Sequence, residues 1–282
     1  MYGTVNGFSY GWITPIVAYV MACLGGALAL RCVTRSLLVE RSFKAGWLVL
    51  GAAALGCGIW SMHFIGMVGF HIVDVPINYN VSLTLLSLLV AIVMVSVGVF
   101  IVGYRGAGPV TLGLAGLTTG LGVAGMHYIG MASMKFEGNL DYQPVVVATS
   151  VVIAVAAATA ALWAAASVRG FLPTLGASLV MGVAVSGMHY TAMAGVSVHL
   201  HDQGAVESGS SLAKVLVPML LGPVLFLLFA GVVVMFDPLV VSGEGFGDGS
   251  AARTDRGSQG AASVFAESGP GHRRETSDDF GW

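Results

Sequence analysis

The sequence is poor in charged residues. Asp, Glu, Lys and Arg together make up 9% of its 282 residues, whereas ordinary soluble domains carry roughly 25%. Hydrophobic residues account for 56%, and the mean hydropathy is +0.86. A soluble core has no room for so much apolar surface, so the composition predicts an integral membrane protein. The net charge of −2 says little about the protein, because the orientation of a membrane protein depends on where its charges lie and not on their sum.

Several patterns that mark other classes of protein are also missing. Its three cysteines, Cys23, Cys32 and Cys57, have neither the spacing of a disulfide framework nor that of a zinc site. There is no basic patch interleaved with aromatics, so we expect no nucleic-acid partner. The sequence shows no carboxylate pair, no Ser/His/Asp set and no glycine-rich phosphate loop, so we expect no enzyme. The first ten residues contain neither Lys nor Arg, so we expect the first apolar run to stay as a spanning helix.

Seven apolar stretches have about the length that a bilayer requires, roughly 20 residues. They predict an all-α integral membrane protein with seven transmembrane helices, arranged as three repeated helical hairpins plus one C-terminal helix. The stretches are Gly11–Leu30, Ala45–Phe70, Val81–Val102, Val110–Met134, Val145–Val168, Thr174–Val198 and Val215–Phe236.

Lys and Arg lie mainly on one side of these predicted spans. Ten follow the odd-numbered helices: Arg31, Arg35, Arg41, Lys44, Arg105, Arg169, Arg253, Arg256, Arg273 and Arg274. Only Lys135 and Lys214 fall on the other side. Because cytoplasmic loops carry the excess of positive charge, this asymmetry predicts an N-terminus outside and a C-terminus in the cytoplasm.

A short motif recurs three times along the chain. With 13 Met and 7 His in 282 residues, random order gives about 0.3 Met-His dipeptides (13 × 7 / 282), yet three occur in similar settings. Their histidines are 64 and 62 residues apart, and each lies in the C-terminal third of an even-numbered helix, at one depth in the outer half of the bilayer. The copies are Ser61-Met62-His63-Phe64-Ile65-Gly66-Met67, Gly125-Met126-His127-Tyr128-Ile129-Gly130-Met131 and Gly187-Met188-His189-Tyr190-Thr191-Ala192-Met193.

The residue types in the motif are typical of a soft-metal site. On a helix, the His and the Met four residues later share a face, while the preceding Met lies on a neighbouring face. Imidazole suits copper, zinc and iron, and thioether selects Cu(I). An ionisable residue within the membrane is costly and marks a functional site by default. The candidate metal ligands are Met62, His63, Met67, Met126, His127, Met131, Met188, His189 and Met193. The competing interpretation is that the methionines fill the core and the histidines join helices.

Other histidines and acidic residues lie in the loops on the outer side. They form a weaker candidate for a metal-loading site or lid, because such residues are more often simply solvated. They are His71, Asp74, His199, His201 and Asp202.

The chain divides into three predicted regions. Residues 8–205 form a six-helix membrane domain of three repeats of about 62–64 residues, and residues 214–236 form the seventh transmembrane helix. Residues 237–282 are rich in Gly, Ser and charged residues. They cannot bury enough apolar surface to offset their ordering entropy, so they are predicted to be a disordered cytoplasmic tail.

The three motifs on alternate membrane helices resemble the MHYT domain family of bacterial integral membrane sensors, over roughly residues 8–205. The resemblance implies six helices in the bacterial cytoplasmic membrane and copper bound by the Met and His residues of the motif. It also implies the sensing of O2, CO or NO, with the signal passed to cytoplasmic signalling domains. The first copy has Phe64 where the family motif has Tyr. The roughly 45 residues after helix 7 are too few for a catalytic domain, so we expect a stand-alone version that signals through a separate cytoplasmic partner.

Three other functions stay open at this point. The protein could be a metal-ion transporter or channel for copper, because polar rings at one depth can line a pathway. It could be a membrane enzyme that uses a metal for redox chemistry, or a structural bundle whose histidines only join helices.

Overall fold

The structure is a computed structural model that describes residues 5–6, 10–72, 75–200 and 212–237. Within these ranges the chain forms seven long α-helices. The predicted tail from residue 238 onward, the end of the predicted six-helix domain at 201–205, and Asp74, His201 and Asp202 lie outside the described residues. The helices are α1 (Ile13–Ser36), α2 (Arg41–Val68), α3 (Val81–Arg105), α4 (Pro109–Ala132), α5 (Pro144–Ser167), α6 (Phe171–Ala194) and α7 (Leu212–Met235).

All seven helices are long and apolar enough to cross a membrane, which confirms the predicted count and makes the chain a multi-pass membrane protein. Local sequence sets several of their ends. Asn80 caps α3 by accepting a hydrogen bond from the Leu83 amide at 3.3 Å. Gly106, at φ +79°, ends the same helix. Pro109 and Pro144 open α4 and α5, where a missing amide proton costs nothing.

No strands were predicted from the sequence, and the described part of the chain contains six short ones. The sixth apolar run was predicted to stay helical through Val198, but α6 ends at Ala194 and Val196–Leu200 is a strand. Its Val-Ser-Val sequence suits a pleated edge better than a helix because β-branched residues favour strands. The strands are β1 (Val5–Asn6), β2 (His71–Ile72), β3 (Asn78–Tyr79), β4 (Met134–Lys135), β5 (Gly138–Tyr142) and β6 (Val196–Leu200).

One pair of these strands connects the two ends of each helical hairpin. β1 pairs with β2, β3 with β4 and β5 with β6, always antiparallel. Each pair therefore joins the segment that enters a hairpin to the segment that leaves it, so the repeating unit is strand–helix–helix–strand. We call this side of the bundle the strand end. The opposite side, where α1, α3 and α5 finish beside Arg35, Arg105 and Arg169, is the arginine end.

The first six helices form a closed ring. Each consecutive pair is in contact, and α6 packs back against α1. In every hairpin the second helix is the more buried, with 78% of the α2 span buried against 44% for α1. Helix α7 lies outside the ring, mainly against α2. Large apolar side chains such as Val152, Val180 and Leu89 remain more than half exposed on the outer faces, as expected for helices surrounded by lipid.

Glycine allows close backbone contact between the two helices of the first hairpin. A Cβ added at Gly25 of α1 would lie 2.8 Å from the Gly58 Cα of α2, and a Cβ at Gly58 would meet Gly25 in the same way. Small residues allow such contact in lipid, where packing rather than the hydrophobic effect holds helices together.

Candidate metal centre

The three repeated histidines occupy equivalent places in their helices. His63, His127 and His189 each stand five residues before the last residue of α2, α4 and α6, which end at residues 68, 132 and 194. Each side chain is only 1% exposed. Because the three helices run in the same direction within the ring, this common position brings the imidazoles to one level near the strand end.

The imidazoles meet on the axis of the ring. The Nδ1 atoms of His63 and His127 are 3.1 Å apart, as are those of His63 and His189, and the third pair is separated by 3.3 Å. Among the described residues, these three side chains form the one cluster of His, Cys, Asp or Glu able to hold a metal ion. We call the cluster the triad.

Hydrogen bonding alone cannot satisfy the triad. An N–H···N bond needs one protonated and one unprotonated nitrogen. In a neutral imidazole, Nδ1 carries either a proton or a lone pair. With three Nδ1 atoms and only two states, at least two of the atoms are alike, so at least one of the three contacts joins two lone pairs or two N–H groups. A cation between the nitrogens would accept all three lone pairs at once, and the donor set therefore fits a metal ion.

The dimensions of the triangle also fit a metal. The point equidistant from the three Nδ1 atoms lies about 1.8 Å from each, since the mean side of 3.2 Å is divided by √3. A zinc–imidazole bond measures about 2.0–2.1 Å. Small shifts of the rings would accommodate an ion. With the lone pairs turned inward, the Nε2 atoms carry the protons, and those of His63 and His127 have no hydrogen-bond partner in the described part of the chain.

Two glycines seat the rings, a role that the sequence analysis missed. A Cβ on Gly66 of α2 would lie 2.6 Å from His189 Nε2, and a Cβ on Gly130 of α4 would overlap His63 Nε2. The imidazoles of His189 and His63 therefore pack against a neighbouring helix at a position that has no side chain. The sequence signal was the His-x-x-Gly spacing of the first two motifs, replaced in the third by Ala192, which is buried.

An aromatic residue follows each histidine of the triad and packs against its imidazole. Phe64, Tyr128 and Tyr190 each contact the preceding imidazole edge-on, with ring centroids 4.7–4.9 Å apart. Phe64 in turn packs against Tyr79 of β3 at 6.0 Å. Burial raises the pKa of the Tyr79 phenol above its usual range, so this group stays neutral.

The six methionines proposed as ligands are buried in the apolar packing around the motif helices. Met62, Met67, Met126, Met131 and Met188 are at most 1% exposed, and Met193 is half-buried. Met62 packs in a cluster with Ala18 and Ala22 of α1. Their burial agrees with either role, so metal ligation by these thioethers stays a prediction.

The loop histidines are not part of the triad. His199 lies in β6, where its Nε2 is 3.0 Å from the Asp141 carboxylate of β5. Both side chains are substantially exposed, at 39% and 64%. His71 is exposed in β2. The His199–Asp141 pair serves as a cross-strand contact between the paired strands β5 and β6.

Comparison with protein families identifies part of this repeat. The family MHYT, described as "Bacterial signalling protein N terminal repeat", matches residues 56–115 and 120–178. The two matches contain the motifs of His63 and His127. The third motif, around His189, lies beyond both, so its membership of the repeat rests on the sequence pattern and on the geometry of the triad.

Several bacterial signalling proteins are similar to this chain over about two thirds of its length. The bifunctional diguanylate cyclase/cyclic di-GMP phosphodiesterase MucR of Pseudomonas aeruginosa is 40% identical over 191 residues, which are 66% of this chain and 28% of MucR. The cyclic di-GMP phosphodiesterase NbdA of the same organism is 38% identical over 184 residues, 63% of this chain and 23% of NbdA. The signaling protein YkoW of Bacillus subtilis is 28% identical over 199 residues, 68% of this chain and 24% of YkoW.

The chain thus spans less than a third of the length of these curated relatives. No solved structure matches it.

Proposed function

The chain carries MHYT repeats, the N-terminal repeat of bacterial signalling proteins, and on that premise we propose that it is a membrane sensor module whose triad holds copper. The observation that supports this most strongly is the meeting of three Nδ1 atoms within 3.1–3.3 Å of one another. His63, His127 and His189 would bind the ion directly. The motif methionines would add thioether ligands: Met62, Met67, Met126, Met131, Met188 and Met193.

The charge of the site favours Cu(I) among the metals that imidazole binds. Among the described residues, no carboxylate or thiol joins the triad, so nothing nearby neutralises the ion. The cost of burying an ion scales with the square of its charge, so a divalent ion is about fourfold more costly than a monovalent one in the same apolar surroundings. Neutral imidazole and thioether ligands are also those preferred by Cu(I).

Copper in the triad would supply an open coordination position for a diatomic gas such as O2, CO or NO. The three histidines would hold the ion where α2, α4 and α6 meet, so a change at the triad acts on three helices together. The burial of the triad and the aromatic rings packed beside its imidazoles would keep bulk water away from the ion.

We further propose an orientation and an output. The strand end would face the outside and the arginine end the cytoplasm of a bacterial cell membrane, following the bias of positive charge. The signal would pass to a cytoplasmic signalling protein. The names of two relatives point to cyclic di-GMP turnover as the class of that output.

Elemental analysis of the purified protein after Cu(I) loading tests the proposal. We expect copper in the parent and background copper in the triple variant H63A/H127A/H189A. The matched control is H71A/H199A, which removes two imidazoles outside the triad and should keep the parental copper content. Equal copper in the parent and the triple variant would refute the proposal, and so would no copper in the parent.

A further inference from the structure

A partly enclosed apolar cavity lies among the six helices of the ring, on the arginine side of the triad. Its volume is about 40 Å³. All six helices of the ring contribute to its wall, and each motif helix contributes the residues four and eight positions before its histidine. These are Leu55 and Ile59 of α2, Thr119 and Val123 of α4, and Met181 and Val185 of α6. We call it the axial chamber.

The chamber is adjacent to the triad. Residues four apart on a helix share a face and are separated by one turn, about 5.4 Å. Ile59, Val123 and Val185 therefore lie one turn below the three histidines, and Met188, next to His189, also lines the chamber.

The chamber owes its space to α5, which presents small side chains to the axis. The lining residues from this helix are Leu162 and five alanines: Ala154, Ala157, Ala158, Ala161 and Ala165. Larger residues on this face would fill the axis. The lipid-facing sides of the same bundle carry many large apolar residues, including Val152 on α5 itself. The alanine face thus leaves a void where close packing is otherwise the rule.

The lining suits an apolar occupant and not water. A buried water needs two to four polar partners. The polar side chain in the lining is Thr119, and its hydroxyl lies within 3.5 Å of the Met94 carbonyl on α3. Apolar cavities in proteins stay dry and bind xenon or small hydrocarbons. The volume exceeds the roughly 10–15 Å³ that a single water requires, but it is far too small for a lipid acyl chain.

We propose that the axial chamber is a binding site for one small apolar molecule, of the size of a diatomic gas. Such molecules concentrate in the bilayer around the bundle, and the chamber stores one of them a single helical turn from the triad. Delivery from the chamber to a bound metal rests on the proposed function, whereas occupancy of the chamber does not.

Xenon is the probe for this site, because it is apolar, monatomic and visible by anomalous diffraction. Crystals of the full chain are pressurised with xenon, for the parent and for A158V, which adds two methyl groups into the chamber. The matched control is A156V on the same helix, since Ala156 is exposed toward lipid. A second chamber variant, V123I, fills the space from α4 with a smaller change, and thermal unfolding checks that each variant is folded.

We expect a xenon peak in the chamber of the parent and of A156V, and at least a fivefold lower occupancy in A158V and V123I. An ordered water in the chamber, an absence of xenon there in the parent, or unchanged occupancy in both filled variants would overturn the inference. Copper content is measured on the same preparations and should be equal in all four. Xenon without copper would refute the proposed function alone, and copper without xenon would refute the chamber alone.

Discussion

A buried histidine is costly in a lipid-embedded bundle unless its ring nitrogens find partners. The three histidines here turn their Nδ1 atoms toward one another, and each ring is held from outside by a following aromatic residue. The residues that make this possible are small ones on the facing helices.

Replacing Gly130 with alanine should disturb the triad. The new Cβ would overlap His63 Nε2, and the ring must move away from the other two. Removing a group that orients a metal ligand typically lowers metal affinity about 10–100-fold. We expect a loss of that size in Cu(I) affinity for G130A, measured by competition with a chelator of known affinity.

The control for this variant lies on the same helix. A Cβ on Gly125 would meet nothing within 4 Å, so G125A makes the same chemical change in open space and should bind copper like the parent. If G130A and G125A bind equally well, the glycine seat has no role in the site.

The methionines at the fourth position after each histidine should affect Cu(I) binding and not Zn(II) binding. We expect M67L/M131L/M193L to lower Cu(I) affinity by about tenfold or more, because thioethers select Cu(I) while Leu conserves the side-chain volume. Competition titrations with both ions measure this. M235L, at a side chain 66% exposed, is the control. Unchanged Cu(I) affinity in the triple variant would mean that these methionines only pack the core and do not bind the metal.

At the scale of secondary-structure elements, α7 needs an explanation because it stands outside the threefold ring. It packs against α2 and α1. Just beyond its last residue, the Asp237 carboxylate lies 2.7 Å from Arg35 Nε, near the end of α1. Arg35 also lies over the ring of Trp47 on α2, 5.8 Å from its centroid. Three helices are thus joined at the arginine end by one ion pair and one cation–π contact.

Breaking this ion pair should loosen α7. The Asp237 side chain is 6% exposed and that of Arg35 20%, so removing either one leaves a largely buried charge without its counter-ion. We expect D237A to lower the free energy of unfolding by about 1–3 kcal/mol, measured by thermal or denaturant unfolding in detergent. The double variant R35A/D237A should recover part of the loss. If D237A is as stable as the parent, the pair does not hold α7.

The sequence allowed good prediction of the helices and poor prediction of the strands. A run of about 20 apolar residues in lipid forms a helix, because every backbone N–H and C=O group must find its hydrogen-bond partner within the segment. Strands of two to five residues carry too little pattern to be recognised alone. β5 and β6 are fixed by their pairing, which includes Tyr142 opposite Val196 and Leu140 opposite Val198. Pairing partners 54 and 58 residues apart are not evident from local sequence.

At the scale of the whole molecule, the common depth of the three histidines could be predicted, and their contact could not. The spacing of the motifs predicted that His63, His127 and His189 lie at the same level of parallel helices. It did not predict that the six helices close into a ring. Closure depends on α6 returning to α1, which is a property of all six helices together. The axial chamber likewise arises from the alanine face of α5 only after the ring has formed.

The proposed orientation of the molecule in the membrane rests on the distribution of Lys and Arg, and it can be tested directly. We expect D141C, in an exposed strand-end position, to react with a membrane-impermeant maleimide on intact cells. A107C, in the exposed loop after α3 at the arginine end, should react only after lysis. The three native cysteines are replaced by alanine in both variants and in the labelling control. The reverse pattern of labelling would invert the proposed topology.

The central claim is that copper binds to the three histidines, and X-ray absorption at the copper edge of the Cu(I)-loaded protein tests it most directly. The account predicts a first shell containing three nitrogens with the multiple-scattering pattern of imidazole, at about 2.0 Å as for other metal–imidazole bonds. Sulfur scatterers from the motif methionines would be added to that shell. A first shell without imidazole, or one unchanged in H63A/H127A/H189A, would contradict the account and leave the triad as a contact that only joins three helices.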